Sequence, residues 1–202
     1  MVIGLACLLA VTAATALVTS RSEQPAAPSS PPASTHSTTS DAKEPVAEGG
    51  PVRRPPLISD PLAFARVAAE MLWSYDTRST SHEQQLVGMK AWMTQESEYS
   101  DWASISAQVP DPILWGRMAD QQQHATAAIT EAHYPAAFKQ ALADEPAAIT
   151  EAYIYAVTVT GTQTISWAKG GSGVEDRSVT LAVQCRPSHD CSLVAIAPRV
   201  AP

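Results

Sequence analysis

Three acid–base side chains and one pair of cysteines are the residues of this sequence best placed to do chemistry. Glu131 and His133 stand two apart, so along a strand they share a face. Glu151 falls in a second strand-like run and would stand beside them if the two runs were neighbours. A carboxylate that orients an imidazole makes a workable general base, and a curved sheet could close the three into a pocket. On a solvent-facing strand the same residues would only be hydrated, and neither a nucleophile nor an oxyanion stabiliser accompanies them. The reading adopted is therefore no enzyme: no catalytic residue, cofactor or metal is assigned. A ligand-binding or enzymatic domain with a pocket lined by Glu131, His133 and Glu151 is the alternative.

Cys185 and Cys191 bracket a five-residue loop, Arg186-Pro187-Ser188-His189-Asp190, between two alternating apolar runs. In a hairpin that pairs the runs, both sulfurs point the same way and can meet at bonding distance. A disulfide there implies an oxidising compartment. The alternatives are two reduced core cysteines, or a zinc set with His189 that lacks a fourth ligand. Cys7 is expected to take no part.

The elements that must position these groups are marked by local signals. Asp60-Pro61 and Asp111-Pro112 each place a capping carboxylate before a proline whose missing N–H costs nothing at a helix start. Ser81 with Gln84 forms a capping box. The first helix is expected to run to about Asp76, the second to bury Leu86, Met89, Trp92 and Met93, and the third Ile113, Leu114, Trp115 and Met118. Beyond Gln123 the pattern becomes extended, with strands over residues 126–134, 149–167, 178–185 and 191–197. Gly161 marks a bend or bulge in the long strand, and Gly170-Gly171-Ser172-Gly173 reads as a turn. About three helices followed by about four antiparallel strands give an α+β fold with helices on one face of a curved sheet.

The rest of the chain is built differently. Residues 1–20 carry no charge and suit either an uncleaved signal anchor or a signal peptide cleaved after Ala14-Thr15-Ala16. Half of the 16 prolines fall between Pro25 and Pro56, where no aromatic residue occurs, so residues 21–58 read as a disordered Pro/Ser/Thr-rich linker. All five Trp, five Tyr and two Phe lie at or beyond Phe64, which confines core material to a domain at 59–202. A net charge of -7 without any basic cluster argues against nucleic acid as a partner.

Residues 60–79 (DPLAFARVAAEMLWSYDTRS), 91–95 (AWMTQ), 101–120 (DWASISAQVPDPILWGRMAD) and 149–167 (ITEAYIYAVTVTGTQTISW) resemble uncharacterised membrane-anchored proteins of actinobacterial genomes and conjugative plasmids. Their architecture is similar to the periplasmic subunits of type IV secretion machines, whose domain is nuclear-transport-factor-2-like. The resemblance implies a scaffold without catalytic residues. It would be anchored in the cell membrane by residues 1–20, or secreted if these are cleaved, with the C-terminal domain outside the cytoplasm. Its implied partners are envelope or membrane protein subunits of a transfer or secretion complex, or further copies of itself.

Overall fold

The computed structural model describes residues 52–148 and 152–197; the apolar segment 1–20, Cys7, linker residues 21–51 and Glu151 lie outside them. The described chain is α+β. Helices α1 (Pro61–Trp73), α2 (His82–Lys90), α3 (Trp102–Ser106), α4 (Pro112–Asp120) and α5 (Ala136–Asp144) accompany strands β1 (Tyr75–Asp76), β2 (His124–His133), β3 (Ile154–Trp167), β4 (Gly171–Gln184) and β5 (Ser192–Ile196). The strands form one antiparallel meander in sequence order, curled into a half-barrel.

The three expected helix starts are present. Asp60 accepts from the Ala63 N–H at 2.7 Å, and Asp111 from Ile113 and Leu114 at 2.9 and 3.1 Å. Ser81 and Gln84 exchange both bonds of the capping box. Small residues Ala65, Ala68 and Ala69 on the buried side of α1 let the helix lie close against β2, β3 and β4. Phe64, Ile105, Val157, Val159, Leu181, Val183 and Leu193 fill the space between helices and sheet. Full burial of such a side chain stabilises by roughly 1.5–3 kcal/mol.

Several expectations are corrected. The first helix stops at Trp73 because Ser74 turns extended, which lets Tyr75 and Asp76 pair with Ala125 and His124 as an edge strand. Two helices, α3 and α5, were not expected, and they raise the count among the described residues from about three to five. With β1, the strands among the described residues number five rather than about four. The long strand begins at Ile154, after Tyr153 at φ 54 breaks the extended run. Of the glycine-rich segment only Gly170, at φ 76, lies in the β3–β4 turn; Gly171-Ser172-Gly173 opens β4, with the Trp167 ring lying against Gly171. Ile113 and Leu114 are exposed, since the buried side of α4 carries Trp115 and Met118.

Residues expected at the end of the linker belong to the folded part. Val52 packs against Gly88 on α2, the Arg53 carbonyl accepts from Trp92 Nε1 at 2.8 Å, and the Ile58 carbonyl accepts from the Cys191 N–H at 2.6 Å. The β5 edge is likewise covered. The Leu193 carbonyl accepts from Thr94 N–H at 2.7 Å, and the Val194 carbonyl from Asp101 N–H at 2.9 Å. Covering an edge strand with other backbone removes a template for unwanted pairing.

Candidate functional site

Glu131 and His133 do meet. His133 Nδ1 lies 3.2 Å from Glu131 Oε1 near the end of β2. They are on the outer side of the sheet, 64% and 45% exposed. The reason is a β-bulge: register with β3 shifts between Ile129 and Glu131, leaving Thr130 unpaired. Before the bulge Ala127 and Ile129 point to the core; after it Ala132 and Tyr134 do, so Glu131 and His133 turn outward. Gly161 opposes the bulge, where a Cβ would overlap the Ala128 carbonyl oxygen. The pocket of the alternative reading is therefore not formed by its two described members, Glu131 and His133.

A cavity among the described residues lies elsewhere, between helices and sheet, with a volume of about 250 Å³. Its polar lining is mostly neutral. Gln163, on the inward side of β3 and 6% exposed, donates to the Trp73 carbonyl at 2.6 Å. Gln123 Nε2 donates to the Tyr75 hydroxyl oxygen at 2.5 Å. Gln85, 4% exposed, projects from α2 beside Met89, one turn away on the same helix side. The apolar wall is Trp115, Met118, Met89 and Ile165. Trp115 Nε1 donates to the Thr80 carbonyl at 3.2 Å, so that indole N–H is already engaged. Glu175 and Arg177 on β4 also line the cavity and pair with each other at 3.5 Å.

Burial pushes the Tyr75 hydroxyl above its ordinary pKa, against smaller opposing effects of the Gln123 bond and the Arg177 charge. Tyr75 therefore stays protonated at neutral pH. Its oxygen accepts from Gln123, which leaves its proton available to a further acceptor.

The cysteines behave as the spacing predicted. Cys185 and Cys191 form a disulfide just past the last strand pair, Gln184 with Ser192, and their Cα atoms are 4.3 Å apart. Both are buried. Cys185 N–H donates to the Tyr153 carbonyl at 2.9 Å, so the bonded hairpin end is tied to the start of β3. Beside it, Thr94 donates to the Gln184 carbonyl oxygen at 2.5 Å, and the other end of that amide donates to the Ala152 carbonyl at 3.0 Å. Glu96 pairs with Arg186, whose guanidinium also stands over the Tyr153 ring at 5.5 Å.

Gln85 and Gln163 were not singled out by sequence reasoning. Their signal was a polar residue at an inward phase: Gln85 four residues before Met89, and Gln163 in alternation with Val157 and Val159. The fold and these features define an α+β domain with a locked hairpin and a small cavity of neutral polar lining. The chain matches no protein-family model, no curated protein and no solved structure. Among the described residues no helix is long and apolar enough to cross a membrane.

Proposed function

We propose that this chain is an exported interaction module, tethered through residues 1–20 and acting as an accessory component of a conjugative transfer or secretion complex. The observation that carries the reading is the Cys185–Cys191 disulfide, because such bonds persist in oxidising compartments. The curled sheet under its helices is compatible with the nuclear-transport-factor-2-like domain of the periplasmic subunits that the sequence resembles. Exposed Ile113 and Leu114 on α4 offer apolar surface for an envelope partner or a second copy. The reading assigns no catalytic role. The alternative built on Glu131 and His133 has less support, since both are exposed on the outer side of the sheet and the cavity lies elsewhere.

A reporter fused after Pro202 tests the topology. Activity of a reporter that works only outside the cytoplasm is expected. Activity of one that works only inside would overturn the export reading. Crosslinking from Ile113 in cells that carry the transfer apparatus tests the role, and the expected product joins the chain to a transfer subunit.

A further inference from the structure

We propose that the cavity binds a small, uncharged, planar ring compound whose edge presents adjacent N–H and C=O groups, a lactam. The charge of the lining comes first. Among the described lining residues the cation, Arg177, is paired with the anion, Glu175, so these residues offer no net charge to an ionic ligand. Its size comes second. About 250 Å³ exceeds the roughly 150 Å³ of a cavity that takes up benzene, so a single ring fits.

The polar groups narrow the class further. Gln85 is more than nine-tenths buried, lines the cavity, and has no side-chain hydrogen bond to another described residue. Among the described residues no side-chain polar atom sealed from solvent lacks a partner, so the Gln85 amide keeps solvent contact, and the cavity is the space that Gln85 lines. A carboxamide carries donor and acceptor side by side, and a lactam edge satisfies both at once. A hydroxyl or an ether satisfies it less well, and a hydrocarbon leaves it unpaired. The Tyr75 proton is available to a second carbonyl. Because Trp115 spends its N–H on Thr80, the indole offers the ligand only ring surface, and Met89 and Met118 add polarizable thioethers.

Helix α2 itself points the same way. Val87 is 66% exposed while Gln85 is buried, the reverse of what packing alone favours. Such local contradictions are expected where a site overrides packing.

The test uses the full chain with its disulfide intact and three probes: 2-pyridone, toluene and benzoate. Binding is followed by the Trp115 indole N–H resonance, assigned with Trp115→Phe. We expect 2-pyridone to shift it saturably and to bind at least about tenfold more tightly than the other two, the order expected when a site's amide is satisfied rather than left unpaired. Gln85→Leu should weaken 2-pyridone by about tenfold and leave toluene binding equal or stronger. If that variant does not fold, Gln85→Met serves, and the ranking of probes on the unaltered protein decides alone. Toluene binding as well as 2-pyridone would overturn the proposal in favour of a merely apolar hole. Tightest binding by benzoate would overturn it in favour of an anion site at Arg177, and no saturable shift with any probe would leave no ligand site. These outcomes are independent of where the domain resides, so they do not bear on the export reading.

Discussion

Arg186 holds Glu96 through two parallel hydrogen bonds, Nε to Oε1 at 2.6 Å and Nη2 to Oε2 at 2.5 Å, across ninety residues of chain. The pair ties the segment after α2 to the loop that the disulfide closes. Those bonds hold the Glu96 carboxyl below its ordinary value of 4.5, despite some opposing desolvation. A carboxylate with a lowered folded pKa contributes stability that is fully present above the unfolded value and is lost as pH falls through the folded one. Unfolding midpoints should therefore decline on acidification below about pH 4.5, and Glu96→Gln should flatten that part of the profile. A profile identical in the variant would show that Glu96 carries none of it.

Breaking the disulfide should lower stability without dismantling the fold. The bond spans a separation of six residues, and closing so short a loop is worth about 2 kcal/mol. The double change Cys185→Ser, Cys191→Ser should keep its circular dichroism and lose about that much in denaturant titrations. Mass analysis of the unreduced protein from outside the cytoplasm should find neither thiol reactive. Two alkylated thiols there would contradict the bonded hairpin.

Gly161→Val tests the bulge that turns Glu131 and His133 outward. Any Cβ at this position overlaps the backbone of β2, and overpacking of this kind costs about 1–3 kcal/mol. A shift in the denaturation midpoint of that order is expected. An unchanged midpoint would mean that β2 and β3 do not approach as described.

Thr94→Val keeps the shape of a buried side chain and removes its hydroxyl. Gln184, 3% exposed, would lose the donor to its carbonyl oxygen while its amide nitrogen stays fixed on Ala152. Leaving that oxygen unsatisfied should cost about 1–3 kcal/mol. Thr94→Ser, which restores the donor, should recover part of the loss; equal losses in both variants would assign the effect to packing instead.

Helix starts were legible in the sequence because a cap is local chemistry: Asp60-Pro61, Ser81 with Gln84 and Asp111-Pro112 satisfy their own backbone N–H groups within three residues. The Cys185–Cys191 bond was legible for the same reason, since so short a hairpin leaves the two sulfurs little choice of partner. How far an element runs was less legible. Tyr75 and Asp76 could have extended α1, and only their pairing with β2 drew them into the sheet.

The candidate site needed the tertiary structure. Alternation along β2 put Glu131 and His133 together, but one extra residue at Thr130 decided which side of the sheet they face. The cavity was hidden because its walls come from α1, α2, α4, β1, β3 and β4, which are far apart in the chain. Gln85 and Gln163 stand at inward phases of their elements, but their burial exists only once those elements pack. Local capping and a short loop fix themselves by near-neighbour forces, whereas the side of a strand and the lining of a cavity exist only once distant segments have buried one another.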